Sequence, residues 1–311
     1  MPLISVMIPC RNGEPFIGPA VRSVLNQQGV DLELIVVDDG STDTSRKTVL
    51  EINDPRVRVV DGPRTCVADV TNIALPYLRG KYFTRCDADD LYTPGRLAAQ
   101  LKVLANRSAF AAVCGRFEMM SHRGDHLSTV GGGPVAEEVT QELTGGFTRT
   151  HWNTWMFRTD AFKQVGGCRS YFKVGEDIDV MLRFATTHRV WYEPEVWYRY
   201  RLHEGSTVHT IADNRRAFLE EQAKLFLRQR LAAGTDDLEQ GKAAPLPDAG
   251  GSRLYYASDQ IQSVLIGRSW SEHRAGQKKR SIRTGWQALK ARPARWEAWR
   301  NLAALMLKRP G

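Results

Sequence analysis

The sequence lacks the marks of several protein classes. None of its 311 residues lies in an apolar run near the ~18–20 residues that span a bilayer. No basic segment with a cleavage site precedes the first apolar stretch. The five cysteines are an odd number without a C-x-x-C pair, which fits neither a disulfide framework nor a zinc site. We therefore expect a cytoplasmic protein in a reducing compartment, neither secreted nor membrane-spanning.

Charge is distributed unevenly along the chain. Hydrophobic residues make up 42% and charged residues 25%, which excludes a wholly disordered, collagenous or coiled-coil protein. The formal net charge of the whole chain is +8. Residues 268–311 carry a net charge of +10, because they contain twelve Lys and Arg and only two acids, Glu272 and Glu297. The rest of the chain is close to neutral, so the overall basicity does not favour nucleic-acid binding.

The first ~115 residues alternate short β-branched runs with amphipathic stretches, the pattern of βαβ units. This predicts an α/β fold with a mostly parallel central sheet flanked by helices, and ligands beyond the carboxyl ends of the strands. Strands are predicted at Ile4–Ile8, Leu32–Val37, Val57–Val60, Tyr82–Cys86 and Phe110–Cys114. Helices are predicted over 15–28, 42–52, 65–79 and 94–106.

Acidic residues follow three of these strands, the first, the second and the fourth, and are therefore predicted at one edge of the sheet. Asp87 and Asp89 are two positions apart, so on an extended segment their carboxylates point the same way and can bind one Mg²⁺ or Mn²⁺, or a metal-bound diphosphate and its ribose. The alternative is that Asp89 or Asp90 caps the following helix, whose start Thr93 and Pro94 indicate.

The second acidic cluster is the stretch from Asp38 to Asp43. Ser41 or Thr42 can cap the next helix and Gly40 can supply a positive φ, which leaves Asp38 and Asp39 without a structural explanation. Carboxylates accept hydrogen bonds from a base N–H or a ribose hydroxyl. The cluster therefore favours a nucleoside as ligand.

These motifs, in this order, resemble the family 2 glycosyltransferases with the GT-A fold over residues 3–207. The stretches that carry the resemblance are Ser5–Pro9 with Asn12–Glu14, Ser23–Gln28, Val36–Asp43, Arg79–Asp90, Gly166-Gly167, Gly175–Arg183 and Tyr200–Ser206. Each stretch is weakly specific alone, but the ordered set is highly specific.

The resemblance implies a nucleotide-sugar donor, a UDP-sugar above all, and a divalent metal, Mn²⁺ or Mg²⁺. It implies Asp38 or Asp39 on the base, Asp87 on the ribose, and Asp89 with His203 on the metal. It also implies inversion at the anomeric carbon with Asp177 as general base and Glu176 beside it. The residues expected to bind the nucleotide-sugar are Pro9, Arg11, Asn12, Glu14, Asp38, Asp39, Asp87 and Ala88.

Structural alternatives remain open for several of these residues. Glu176, Asp177 and Asp179 also suit an acidic first turn that complements the macrodipole of a helix over 176–188. His203 is equally compatible with a hydrogen-bonded loop. Trp152 and Trp155 either stack on a sugar face or fill the core beside the sheet.

The domain prediction is a GT-A catalytic domain over 1–209, with a donor-binding region over 1–115 and an acceptor region over 116–209. A helix over 210–233 packs on it, a linker spans 234–251, and a basic helical tail spans 252–311. The Gly-rich stretch 121–150 is predicted to be a mobile loop over the site. Within 268–311, basic residues and tryptophans on helices suit an anionic membrane surface, and a helical hairpin packed on the catalytic domain is the alternative.

The expected function is inverting transfer of one sugar to a hydroxyl of a glycan or lipid-linked acceptor in surface-glycan or polysaccharide biosynthesis. We expect the protein in the cytoplasm, peripherally bound at the inner face of the membrane. The absence of a Q-x-x-R-W motif argues against a processive synthase. The alternative is a sugar-nucleotide-binding protein or a nucleotidylyltransferase, but the latter would show a Gly-rich basic loop after the first strand, which Pro9–Glu14 is not.

Overall fold

The computed structural model describes residues 2–206, 213–248 and 256–309. Ten strands in this portion of the chain belong to one sheet. They are β1 (Leu3–Cys10), β2 (Asp31–Asp38), β3 (Val57–Asp61), β4 (Tyr82–Arg85), β5 (Leu91–Tyr92), β6 (Ala112–Ser121), β7 (His126–Val130), β8 (Glu137–Glu138), β9 (Met156–Arg158) and β10 (Val190–Leu202).

The described helices fall into an early set among the strands and a late set after β10. They are α1 (Ile17–Leu25), α2 (Ser45–Glu51), α3 (Val67–Ala74), α4 (Arg96–Asn106), α5 (Thr140–Thr144), α6 (Thr159–Gln164), α7 (Glu176–Ala185), α8 (Asp213–Ala233), α9 (Ala257–Arg274), α10 (Lys278–Ala291) and α11 (Trp296–Leu307). Short 3₁₀ turns lie at Leu75–Tyr77 and Trp152–Thr154.

The sheet follows the order β3-β2-β1-β4-β9-β6-β10-β5. Its first four strands are parallel, with Val6 beside Leu34 on one side and Thr84 on the other. β9 then pairs antiparallel with both β4 and β6. The predicted α/β fold is confirmed, and because β1, β2 and β4 are neighbours, the segments that follow them leave the same edge of the sheet.

The stretch 121–150 differs from its prediction as a mobile loop. It contains β7, β8 and α5, and the side chains of Leu127, Val139 and Leu143 are buried. These apolar residues are isolated in the sequence, so no periodic pattern predicts that they are buried. Each becomes buried only by packing against distant regions of the chain.

Trp152 and Trp155 lie in the core. Both indoles are 1% exposed, and they pack among aromatic residues that include Phe157. The interpretation as core residues is confirmed, and neither ring is available to stack on a sugar.

The described chain divides into two compact units. The first comprises Met1–Phe117, Val130–Tyr200 and Arg215–Asp248, and the second comprises Glu118–Thr129, Arg201–Asn214 and Ala249–Gly311. The second unit has a small core of its own, with Leu289, Ala298 and Leu302 buried between α10 and α11. The predicted domain limits at 209/210 and 251/252 fall outside the described residues and stay predictions.

Helix α8 and the segment that follows it belong to the first unit. Phe226 and Leu227 of α8 are buried in its main core. Asp236, in the stretch predicted as a linker, is fully buried and forms ion pairs with Arg169 (2.6 Å) and Arg230 (3.0 Å). Residues beyond the family resemblance thus complete this unit.

None of the described helices is long and apolar enough to cross a membrane.

Candidate active site

The segments after β1 and β2 are joined by hydrogen bonds. The backbone N–H of Asn12 donates to Ser41 Oγ (3.0 Å), and that of Gly13 donates to Ser45 Oγ (2.8 Å). In return, Asn12 Oδ1 accepts from the Thr42 N–H at 2.8 Å. Asn12 therefore has a structural role in addition to the predicted nucleotide contact. Arg11 and Glu14 lie on this same segment, and Pro9 lies within β1 near its end.

Asp38 and Asp39 also have partners within the protein. Asp38 accepts hydrogen bonds from the Ser41 N–H (3.0 Å) and Arg46 Nη1 (3.1 Å). Burial alone would raise the pKa of Asp38, but these bonds outweigh it and hold that pKa below its usual value. Asp39 accepts from the Arg64 N–H. The inference that both aspartates lack a structural explanation was therefore wrong.

The helix cap predicted at Ser41 or Thr42 is also corrected. Helix α2 begins at Ser45, Thr44 occupies its N-cap position, and no side chain caps it. The segment after β3 completes this region instead. A Cβ at Gly62 would lie 2.7 Å from Asp39 Oδ1, so glycine is needed for the approach.

Asp87 of the D-x-D motif is held at both carboxylate oxygens. Arg85 Nε donates to Oδ1 and Asn153 Nδ2 donates to Oδ2, each at 2.7 Å. The Tyr198 hydroxyl accepts from the Asp87 N–H (2.9 Å) and donates to the buried Asp90 (2.7 Å). Ala88, between the two acids of the motif, is buried.

The helix-cap alternative for this motif was wrong. Helix α4 begins at Arg96, and Gly95 occupies its N-cap position with a φ of 76°. Neither Asp89 nor Asp90 caps a helix.

Glu176 and Asp177 are the first two residues of α7 and follow Gly175, whose φ is 73°. Arg85 Nη1 donates to Glu176 Oε1 at 3.2 Å, and both side chains are buried. One guanidinium thus contacts the D-x-D segment and the E-D helix together. Burial and the Asp177 charge raise the pKa of Glu176 to about 7, outweighing the opposing Arg85 charge.

Asp177 and Asp179 differ in their surroundings. Asp177 is partly exposed, and its Oδ1 accepts the Ile178 N–H at 2.9 Å. Asp179 is buried and forms ion pairs with Arg169 and with Arg183. Asp179 therefore has specific partners beyond any interaction with the helix macrodipole.

The donor set near the D-x-D motif suits a hard divalent cation. Magnesium-like ions bind one or two carboxylates and complete their coordination with water and substrate phosphate, so a cage of three protein ligands is not required. The described ranges contain no group of three or more His, Cys, Asp or Glu side chains arranged as a metal cage. Asp89, the predicted metal ligand, is partly buried and lies two residues after Asp87.

His203 belongs to the second unit, directly after β10. Its role as a metal ligand stays a prediction.

Sequence reasoning missed Arg85, His151, Asn153 and Tyr198. The one usable signal was an arginine ending the otherwise apolar strand β4, since a buried charge requires a partner. His151 and Asn153 lie within an aromatic run around Trp152. Such a run is typical of a core segment, so the sequence did not indicate that these two residues lie at the site.

Comparison with protein families decides the classification. Residues 5–172 match the family described as Glycosyl transferase family 2. The chain belongs to this family. This glycosyltransferase is 27% identical over 209 residues to the chondroitin synthase of Pasteurella multocida, an alignment that covers 67% of the chain but 21% of that synthase. It is 32% identical over 122 residues to the Escherichia coli protein WfgD, named as a UDP-Glc:alpha-D-GlcNAc-diphosphoundecaprenol beta-1,3-glucosyltransferase, covering 39% of the chain and 47% of WfgD.

Solved structures with low sequence identity share the fold of this glycosyltransferase. S. aureus TarS 1-349, in complex with UDP-GlcNAc, superposes with a TM-score of 0.58 at 16% identity, over 97% of this chain and 90% of that one. The mannosyltransferase PcManGT of Pyrobaculum calidifontis, in complex with GDP-Man and Mn²⁺, gives 0.55 at 18% identity, over 99% and 81%. The fold is that of the GT-A glycosyltransferases.

Proposed function

We propose that this family 2 glycosyltransferase moves one sugar from a nucleoside-diphosphate sugar to an acceptor hydroxyl, with inversion at the anomeric carbon. The observation that carries the proposal is the contact of Arg85 with both Asp87 and Glu176. A single displacement needs the leaving diphosphate and the general base on opposite sides of one sugar. The shared arginine holds the two motifs close enough for one sugar to lie between them.

The donor nucleotide is assigned to the segments after β1, β2 and β4. Arg11, Asn12 and Glu14 lie on the first of these segments, with Pro9 near the end of β1, and Asp38 or Asp39 accepts from the base. Asp87 has accepted two hydrogen bonds, and an ionised carboxylate offers about four acceptor positions, so capacity remains for the ribose hydroxyls.

Asp89 is the residue of the first unit that would hold the divalent metal. When bound, the ion neutralises charge on the leaving diphosphate. Asp89 and Asp87 then place the donor at the sheet edge, and the buried pair of Arg85 and Glu176 keeps that edge fixed beside α7.

Asp177 is assigned as the general base, the group that takes the proton from the acceptor hydroxyl. Its Oδ2 makes no hydrogen bond to any described residue and its side chain is partly exposed. Glu176 is buried against Arg85 and is the second candidate.

A UDP-sugar is the favoured donor. WfgD is named for a UDP-sugar and TarS is solved with one, whereas PcManGT is solved with GDP-Man. The names of the chondroitin synthase and of WfgD favour a glycan or a lipid-linked sugar as the acceptor. Nucleotidyl transfer and sugar-nucleotide binding without catalysis are not favoured, because the family match is to glycosyltransferases.

The second unit is assigned to an anionic membrane surface at the cytoplasmic face. In α11, Ala298, Leu302 and Leu305 are buried, and the opposite side leaves Trp296 61% and Trp299 54% exposed. Exposed tryptophans beside the twelve basic residues of 268–311 suit the headgroup region of an anionic bilayer.

The test compares Asp177→Asn with the wild-type enzyme, using the UDP-, GDP- or dTDP-sugar that binds best with Mn²⁺. Asn retains an acceptor oxygen for the Ile178 N–H but takes no proton at neutral pH. We expect transfer to fall by about 10²–10⁴-fold, with donor affinity by calorimetry nearly unchanged. If the variant transfers sugar at a rate within a few-fold of wild type, Glu176 becomes the candidate for the general base.

A further inference from the structure

His151 begins the 3₁₀ turn Trp152–Thr154 and has no role among those assigned above. Its Nδ1 accepts the backbone N–H of Asn153 at 3.3 Å. In the neutral ring the acceptor nitrogen carries no proton, so the proton lies on Nε2. The turn therefore fixes the tautomer.

Aromatic rings fix the plane of the imidazole. The ring of Tyr198 is stacked on it at 13° with centroids 6.3 Å apart, and the rings of Tyr200 and Phe117 lie 5.3 and 5.8 Å away. Tyr198 also binds the D-x-D segment through its hydroxyl. The position of His151 is therefore tied to that motif.

His151 lies within electrostatic reach of both acidic motifs. Its neighbour in the turn, Asn153, donates to Asp87 at 2.7 Å. Burial lowers the pKa of His151 even though the charges of Asp177, Asp87 and Asp89 favour its protonation. The Nε2–H of the neutral ring has no hydrogen-bond partner among the described residues.

A neutral N–H donor supplies what the surrounding carboxylates lack. Asp87, Asp89 and Asp177 are acceptors when ionised, whereas a sugar hydroxyl both donates and accepts. We propose that His151 Nε2 donates a hydrogen bond to a hydroxyl oxygen of the transferred sugar and so positions that sugar between Asp89 and Asp177. This role rests on the proposed glycosyl transfer and names a contact to the sugar rather than to the nucleotide.

Two substitutions separate the Nε2 donor from the Nδ1 acceptor. His151→Asn places an amide oxygen near Nδ1, so it retains an acceptor for the Asn153 N–H and removes the donor. His151→Gln places an amide nitrogen near Nε2 and loses that acceptor. Both remove the stacked ring, so the difference between them reports the donor. His188→Gln, whose ring contacts Gln164 and Phe184, is the matched control.

Calorimetry with Mn²⁺ measures binding of UDP alone and of UDP-Glc or UDP-GlcNAc, whichever the wild-type enzyme binds more tightly. We expect His151→Asn to weaken UDP-sugar binding by about 3–10-fold, as for loss of one hydrogen bond, and to leave UDP binding unchanged. His151→Gln should stay within about threefold. In the wild-type enzyme, the ¹⁵N signal of Nε2 should shift on adding the UDP-sugar but not UDP, a measurement that needs no variant.

An equal loss of UDP binding in His151→Asn, a larger loss in His151→Gln than in His151→Asn, or a silent Nε2 signal would each overturn the assignment to the sugar. If the wild-type enzyme transfers no sugar from any UDP-, GDP- or dTDP-sugar, the proposed function itself fails.

Discussion

The two units differ in how much of their charge is exposed to solvent. In the first, Arg85, Glu176 and Asp179 are buried and each has an ion-pair partner. In the second, buried acids such as Asp259 also have arginine partners, but many basic residues of α10 and α11 are exposed beside exposed tryptophans. Buried charges are costly unless paired, so those of the first unit fix a geometry. Exposed charges add little to stability and remain available to a partner.

Asp89→Ala should give the largest effect, because it removes the carboxylate assigned to the metal. Transfer should fall by about 10³-fold, the range for losing several kcal/mol of charge stabilisation. Thermal unfolding should change little, since the side chain is partly exposed. Transfer is measured during a Mn²⁺ titration. An unchanged Mn²⁺ dependence with near-normal transfer would remove Asp89 from the metal site.

Arg85→Lys tests whether the shared guanidinium joins the two motifs. A lysine ammonium is a point charge and does not reproduce separate contacts to Asp87 and Glu176. We expect transfer to fall by about 10–100-fold and stability by about 1–3 kcal/mol, measured by initial rates and urea unfolding.

Arg79→Lys is the control for this variant. Its ion pair with Glu33 belongs to the same unit, but the arginine is 65% exposed, so transfer should stay within about twofold. Equal losses in the two variants would mean that the Arg85 pair only supports the fold.

Glu176→Gln should change how stability depends on pH. The pKa of Glu176 is about 7 in the folded protein, above its usual value, so the folded state binds the extra proton between about pH 4.5 and 7. Its contribution to stability is therefore present at low pH and is lost as pH rises through 7. The stability of wild type relative to Glu176→Gln should fall by about 1–3 kcal/mol between pH 5 and 8, measured by urea unfolding. Parallel curves would contradict the raised pKa.

The smallest effect on chemistry should come from the second unit. The double variant Trp296→Ala with Trp299→Ala should bind vesicles containing anionic phosphatidylglycerol about tenfold more weakly, with donor turnover unchanged. Leu231→Ala removes a comparably exposed apolar side chain of α8 and should leave vesicle binding intact. If the double variant binds vesicles normally but alters oligomeric state in sedimentation, the surface binds another copy.

The sequence predicted whatever depends on local pattern. Four of the five early strands and the four helices appear close to their predicted limits, because their apolar runs are continuous or periodic. The strand predicted at Phe110–Cys114 is found at Ala112–Ser121, so its end was predicted seven residues too early. The contact of Arg85 with Glu176 was not predictable, since these residues are 91 positions apart and nothing local pairs them. The partners of Asp39 were missed for a similar reason, because Arg64 contributes a backbone N–H that any residue carries.

The burial of Asp236 limits how far the chain can be shortened. This carboxylate binds Arg169, which in turn binds Asp179, two residues after Asp177 on the same helix. A chain ending with the matched region at 172 would lack both acids that bind Arg169, and one ending with α8 at Ala233 would lack Asp236. A piece that keeps both ion pairs of Arg169 therefore extends past Asp236, so the surroundings of the helix that carries Asp177 depend on residues beyond the family resemblance.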